Sequence, residues 1–279
     1  MVEKEKTFPR QHIRRWRLLV QAGAFLLLII TPLVNYYLHI HFVQGWYQSL
    51  GIGKLWFVSP LEGLESLLVA KIIYLPLLIG MVVPVLVAFF LGRVFCGWIC
   101  PVHFLSDMSD RLIHLFARKK RRKDRLLLPR QIFWFVLVAD IFIAMVLGAP
   151  LFVIFSPPGL IGREIMRAVF FHTLALEGLI VVAVLIANLV TSRFFCRYFC
   201  PLGALLALIG GKRRLRIHHD QDTCTECGLC QRSCPLGLNP ALKEGASLYC
   251  WNCGECVEVC GPGALCLRWE TRSQGQRGE

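Results

Sequence analysis

The sequence predicts an α-helical membrane protein: a four-helix transmembrane bundle of two repeated hairpins, then a small cysteine-rich α+β domain. Three observations carry this reading. Of 279 residues, 56% are hydrophobic and only 18% are charged, which is too apolar for a soluble chain of this length. A Cys-x3-Cys-Pro motif occurs twice, each time at the end of an apolar segment. Eight of the 13 cysteines fall in two further runs near the carboxyl terminus. The net charge of +13 would suit nucleic acid, but the basic residues sit beside apolar runs, where they set membrane topology. No nucleic-acid partner is expected. The boundaries predicted are a basic tail (1–17), a membrane domain (18–212), the cysteine domain (213–266) and a polar tail (267–279).

Four segments approach the roughly 20 apolar residues that a spanning helix needs: Leu18–Leu38, Leu67–Leu91, Ile132–Phe155 and Leu174–Val190. Lys4, Lys6, Arg10, Arg14, Arg15 and Arg17 precede the first, and the loop after the second holds the basic run Arg118–Lys123 with Arg93, Arg111, Arg125 and Arg130 nearby. The other loops are poor in lysine and arginine, so both termini are predicted to be cytoplasmic in a multi-pass arrangement among membrane lipids. No small-residue cleavage site follows the first apolar segment, which reads as an uncleaved anchor. Residues 39–66 hold His39, His41, Trp46, Tyr47, Trp56 and Phe57 and read as an aromatic belt at the outer surface. Residues 156–163 read as a turn. His103–Phe116 is amphipathic at helical spacing and is expected along the inner surface.

The carboxy-terminal cysteines are the most specific signal. Cys224, Cys227, Cys230 and Cys234, followed by Pro235, form a C-x2-C-x2-C-x3-C run, which returns at Cys250, Cys253, Cys256 and Cys260. That is the bacterial ferredoxin spacing, and two copies imply two [4Fe–4S] clusters whose fourth ligands are exchanged. Cys224, Cys227, Cys230 and Cys260 are assigned to one cluster, and Cys250, Cys253, Cys256 and Cys234 to the other. Zinc ribbons also use C-x2-C pairs, but they do not run three cysteines in sequence. The domain is therefore a two-cluster ferredoxin-like α+β unit, and Cys266 is left as a packing residue.

The duplicated stretches are Arg93-Val-Phe-Cys-Gly-Trp-Ile-Cys-Pro-Val and Arg193-Phe-Phe-Cys-Arg-Tyr-Phe-Cys-Pro-Leu. On a helix Cys96 and Cys100 share a face, as do Cys196 and Cys200, and Pro101 and Pro201 are expected to stop the helix there. If the halves pack around a pseudo-twofold axis, the four thiols converge at the inner rim of the bundle. They suit a third iron–sulfur centre or zinc, or else redox-active or packing thiols. Asp140 lies near the middle of the third segment, where a carboxylate costs about 2.5–3.5 kcal/mol and must face a partner or a polar cavity. It is either a proton acceptor for a quinol or a paired residue locking helices together. Glu177 and Lys71, nearer helix ends, carry less information. His39, His41 and His172 are candidates for a quinone head group or haem, although isolated surface histidines commonly serve neither.

Taken together, four apolar helices, two Cys-x3-Cys-Pro motifs and a terminal pair of ferredoxin runs resemble the NapH/MauN family of ferredoxin-type membrane proteins. Arg93–Pro101 and the Pro-Gly-Leu-Ile-Gly-Arg stretch at 158–163 are most like its NapH branch. The resemblance implies the membrane component of a quinol dehydrogenase in a bacterial inner (cytoplasmic) membrane. It would pass electrons from quinol towards a periplasmic reductase such as nitrate reductase, through a NapG-like ferredoxin subunit or a NapC-type cytochrome. The residues it carries over are the eight ferredoxin cysteines with Cys96, Cys100, Cys196 and Cys200. The alternative it implies is a maturation or assembly factor that feeds electrons to a metalloenzyme, in a NosR-, MauN- or CcoG-like role. A cluster-based sensor ranks last, because no DNA-reading element follows Cys260.

Overall fold

Runs of Leu, Ile, Val and Phe bounded by Pro and Gly give helices whose ends the breakers set. The computed structural model describes residues 12–39, 43–46, 49–53, 55–117, 126–173 and 175–270. Lys4, Lys6, Arg10, His41, Tyr47, the basic run 118–123 and the tail from 271 lie outside the described residues. Helix α1 (Ile13–Leu38) precedes a three-stranded antiparallel sheet, β1 (Val43–Trp46), β2 (Ser49–Ile52) and β3 (Leu55–Val58). Then come α2 (Pro60–Ala70), α3 (Leu75–Leu91), the short α4 (Val94–Trp98) and α5 (Pro101–Ala117). The second half comprises α6 (Ile132–Leu147), α7 (Leu151–Phe155), α8 (Pro157–Phe171), α9 (Gly178–Val190), a π-helical turn at Phe195–Phe199 and α10 (Pro201–Ile209). The cysteine domain adds β4 (Leu215–His219), α11 (Leu229–Ser233), α12 (Glu255–Val259) and β5 (Leu265–Trp269). β4 pairs antiparallel with β5, Ile217 opposite Leu267, and so closes the segment that holds both cysteine runs.

The repeat extends beyond the cysteine motif. Ser59-Pro60 opens α2 and Ser156-Pro157 opens α8, each serine in the N-cap position and each proline in the first turn, where its missing N–H costs nothing. Both helices end at a residue in the left-handed region, Lys71 or His172. α2 packs on α6 and α8 on α1, while α10 packs on α3 and α6 as α5 does on α9 and α1. Each half thus leans its Ser-Pro-opened helix on the first helix of the other half. Gly80 leaves no room for a Cβ beneath the Trp56 carbonyl, so α3 packs directly on β3.

Several helix boundaries differ from expectation. Arg14, Arg15 and Arg17 lie within α1 rather than in a tail. The predicted span 67–91 breaks at Lys71 and resumes at Leu75. Residues 39–66 contain the sheet and the start of α2 instead of a surface loop. The predicted turn 156–163 is the beginning of α8, because Ser156 Oγ accepts the Gly159 N–H at 3.2 Å and caps the helix. The predicted span 132–155 ends at Leu147, where Gly148 takes φ 66°, and the fourth begins at Gly178. Among the described residues α1 alone is long and apolar enough to cross a membrane; α3 qualifies only jointly with α4 and α5, across a 91° bend.

The faces of these helices are inverted relative to a soluble core. Leu26, Leu27, Val82, Leu86, Phe135, Val138, Phe142 and Ile186 are exposed, whereas Gln21, Glu65, Arg93, His103, Asn188 and Arg193 are buried. α5 shows the same pattern: Leu112, Leu115 and Phe116 face outward while His103, Ser106 and Asp107 face in. An exposed apolar surface of this extent marks contact with lipid or protein.

Candidate functional site

Each carboxy-terminal quartet of cysteines surrounds one hollow. Cys224, Cys227, Cys230 and Cys260 line the first. Cys234, Cys250, Cys253 and Cys256 line the second, whose remaining wall is apolar and includes Ile217, Leu236 and Trp251. The third cysteine of each run lies in a short helix, Cys230 in α11 and Cys256 in α12. Gly228 (φ 68°) and Gly254 (φ 76°) make the left-handed step that leads into each, a step glycine takes without steric cost. The fourth cysteine of each run lies with the other run: Cys260 is within charge–charge reach of Cys230, and Cys234 of Cys253 and Cys256. Four thiols around a hollow are the donor set of a [4Fe–4S] cluster. Among the described residues no three Cys, His, Asp or Glu side chains are gathered to hold a single metal ion. A cubane binds each cysteine through a different iron, so its ligands stand further apart than those of one ion.

The two hollows differ in their access to water. Cys227 is exposed, whereas Cys250, Cys253 and Cys256 are buried. The Leu229 N–H holds the Cys227 thiol below its usual pKa. Burial pushes Cys250 up to about 11, with Cys253 adding to the effect, and burial with the Glu255 carboxylate pushes Cys253 up to about 12. Iron therefore has to displace protons from these buried thiols, and loading is favoured at higher pH. The exposed quartet should also lose its cluster first under mild ferricyanide oxidation. About half the iron held by the two runs should leave while one cluster signal persists in electron paramagnetic resonance; loss of both signals together would contradict the difference in exposure.

The Cys-x3-Cys-Pro thiols do not share a regular helical face as expected. Cys96 lies in α4 while Cys100 follows its end, and Cys196 lies in the π turn with Cys200 extended beyond it. The Cys100 N–H reaches back five residues to the Phe95 carbonyl. Pro101 and Pro201 open α5 and α10 rather than only ending the helices before them. The four thiols still come together, with Cys196 within charge–charge reach of Cys96, Cys100 and Cys200. Cys200 Sγ accepts the Gly203 N–H at 3.3 Å. Arg93 lies against Cys96, 4.8 Å above the Phe133 ring, and donates to the Tyr249 carbonyl at 3.3 Å. Arg193 forms ion pairs with Asp107 and Asp110. Both arginines are almost fully buried. Their signal in the sequence was that each opens one copy of the repeat.

The thiol group and the second hollow share a wall. Cys196, Cys250, Cys253, Cys256 and Trp251 belong to one packed core, with Cys96 and Cys100 against it. Trp251 stacks on His103 at 4.6 Å. It also presses on Gly97, where a Cβ would stand 3.4 Å from the indole. Asn252 fastens the same segment, donating to the Leu91 and Leu215 carbonyls at 3.0 and 2.8 Å and accepting from Trp98 Nε1 at 3.1 Å. Beside it, Arg17 donates to Asp107 at 3.1 Å and to Glu255 at 2.6 Å. The amino-terminal end of α1 is thereby pinned to α12.

Asp140 faces Glu65, a residue the sequence left inside a presumed loop. Glu65 is fully buried, accepts the Phe152 N–H at 3.2 Å, and lies within hydrogen-bonding reach of Asp140. The histidines are placed elsewhere: His39 and His172 end α1 and α8. Glu177 pairs with Arg163 at 3.6 Å, and Lys71 ends α2.

Comparison with known proteins adds to this geometry. A family model described as a 4Fe-4S binding domain matches residues 74–123 and 172–218, and one described as a 4Fe-4S dicluster domain matches 216–261. The chain is 30% identical to the ferredoxin-type protein NapH of Haemophilus influenzae over 88% of this chain and 85% of that protein. It is 30% identical to the methylamine utilization ferredoxin-type protein MauN of Methylorubrum extorquens over 84% and 78% of the two chains. The putative electron transport protein YccM of Escherichia coli is 29% identical over 78% of this chain, which spans only 61% of that relative's length. No solved structure matches the chain.

Proposed function

The chain belongs to the NapH/MauN family of ferredoxin-type iron–sulfur electron transport proteins, and on that premise we propose that it is a membrane-bound quinol dehydrogenase component. Electrons from quinol would enter in the helical bundle and reach first the cluster held by the buried quartet, then that held by the exposed one. They must then recross the membrane, through a NapG-like ferredoxin subunit or a NapC-type cytochrome, to reach a periplasmic reductase such as nitrate reductase. The observation that carries this is the single packed core running from the Cys-x3-Cys-Pro thiols through Trp251 to Cys250, Cys253 and Cys256. Each cluster, when bound, takes up and releases one electron. The protein supplies the thiols, the dry wall around one quartet and the open side of the other. Cys227 is exposed, so the open side of its quartet lets a redox partner approach from the cytoplasm.

The exposed apolar faces of α1, α3, α6 and α9 support four spans in a bacterial inner membrane. α12 against α1 supports an amino terminus and a dicluster segment on the same, cytoplasmic, side. The family model that spans both Cys-x3-Cys-Pro motifs supports a third iron–sulfur centre there in preference to zinc.

The exposed quartet equally suits a soluble electron donor, which favours the second reading, a maturation factor for a metalloenzyme. Anaerobic purification followed by electron paramagnetic resonance separates the two. Reduced-cluster signals on adding menaquinol or ubiquinol support the dehydrogenase. Silence with both quinols, but signals with reduced ferredoxin or flavodoxin, supports the maturation role.

A further inference from the structure

A cavity of about 260 Å³ lies between α2, α3, α4 and α10. Its wall is almost wholly apolar. One side carries Phe95, Ile99 and Leu202, the chain neighbours of Cys96, Cys100 and Pro201. Another carries Ser59 and Pro60 at the start of α2. A third carries Val83 and Val87, which are 49% and 40% exposed on the outer face of α3, so the cavity opens sideways onto the surface read as lipid-facing. Ala88, Leu202 and Leu206 of its lining pack in the same core as Cys200, Leu61 and Phe152. The cavity therefore adjoins the thiol side, and its Ser59-Pro60 wall leads into α2, which carries Glu62 and Glu65.

Two groups of polar atoms here lack a partner among the described residues. Ser59 Oγ, on the cavity wall, is buried with no hydrogen-bond partner. Further along α2, Glu62 Oε2 and Glu65 Oε1 are buried without a donor, as is Asp140 Oδ2 opposite Glu65. Two carboxyl groups within hydrogen-bonding reach need a proton between them, since two carboxylates offer acceptors only. A pair holding one proton is able to take a second.

We propose that this cavity is the hydroquinone site, that Ser59 Oγ hydrogen-bonds a ring hydroxyl there, and that the Glu65–Asp140 pair receives a released proton. The proposal rests on the quinol reading above and locates it. The electrons and protons balance. Both O–H bonds of the hydroquinone break and its ring becomes the quinone. The two electrons would be taken up one each by the two clusters that the cysteine quartets hold when loaded. One proton passes to the singly protonated Glu65–Asp140 pair and the other to Glu62. The apolar, laterally open wall admits a ring with an isoprenoid tail from the bilayer and lets the quinone return to it.

The test uses the full chain with its clusters, in lipid nanodiscs under anaerobic conditions. A photoreactive azidonaphthoquinone should label peptides containing residues 57–60, 83–95 or 202–206, and menaquinone should compete. Val87→Trp, which fills the cavity, should abolish that labelling. Glu65→Gln keeps an acceptor for the Phe152 N–H, so it should label as wild type does. Its cluster reduction by menaquinol should nevertheless slow by on the order of 10²-fold, with reduction by dithionite unchanged. Labelling confined to other peptides overturns the location, whatever the variants do. An unchanged menaquinol rate in Glu65→Gln overturns the role of the pair. Wild-type clusters that dithionite reduces but menaquinol does not would sink the quinol reading itself, and this site with it.

Discussion

Replacing Cys256 by alanine should remove about half of the iron held by the two ferredoxin runs and interrupt electron flow to the half that remains. Cys256 is buried among Cys250, Cys253 and Cys234, and this quartet adjoins Trp251 and the helical bundle. The exposed quartet should still assemble, because none of its four ligands is touched. In anaerobic iron analysis the Cys256→Ala protein should retain one of the two ferredoxin clusters. Dithionite should reduce that cluster at the wild-type rate, whereas menaquinol should no longer do so. Cys227→Ala provides the contrast: it should lose the exposed cluster and leave menaquinol reduction of the buried one intact. If Cys256→Ala kept menaquinol-driven reduction of the exposed cluster, the order of the centres proposed here would be wrong.

The second large effect is expected at Asp107, which binds the buried guanidinium groups of Arg17 and Arg193 and lies 3.6 Å from His103 Nδ1. Asp107→Asn leaves two buried positive charges short of a partner, a change that costs about 3–5 kcal/mol. Since Arg17 also holds Glu255 on α12, the loss should loosen the dicluster segment from α1 and α5. Lower thermal stability in detergent and faster proteolysis between residues 213 and 270 should report it. A variant as stable as wild type would show that the ion pairs contribute no net stability.

The same group makes stability fall in acid. Burial lowers His103 to about 4, with Asp107 opposing and Arg193 and Arg17 reinforcing the shift. Its contribution is complete above the unfolded value of about 6.5 and disappears as pH falls through 4. That amounts to about 3 kcal/mol at 1.36 kcal/mol per unit. Burial alone would raise Asp107, but His103, Arg193 and Arg17 hold it at about 2. Its contribution is therefore complete above about 3.9 and is lost towards pH 2. Unfolding midpoints measured from pH 7 to 4 should decline in wild type and remain flatter in His103→Gln.

How much of this was legible in the sequence follows the range of the interactions. The ferredoxin quartets depend on spacing: three cysteines two residues apart curl round one centre, and the fourth ligand follows from the tandem copy. The duplication at Arg93 and Arg193 was equally plain, since it rests on residue identity alone. Glu65 was hidden because its importance comes from Asp140, 75 positions away, and from the Phe152 N–H. Ser59 and Ser156 escaped notice because Ser-Pro reads as a turn until a helix is seen to start there.

By itself, the sequence determined the chemistry of the protein: two ferredoxin runs, a doubled cysteine motif, and an apolar chain to carry them. Those features are local, set by spacing, composition and the residues next to proline and glycine. Only the tertiary structure decided where the apolar helices break, that α2 and α8 fold back against the opposite halves, and that Trp251 seals the thiols to the buried quartet. It also brought Glu65 to Asp140 and left an apolar cavity beside Phe95, Ile99 and Leu202, next to the cysteines. Such facts come from packing between distant segments, which no periodicity along one segment records.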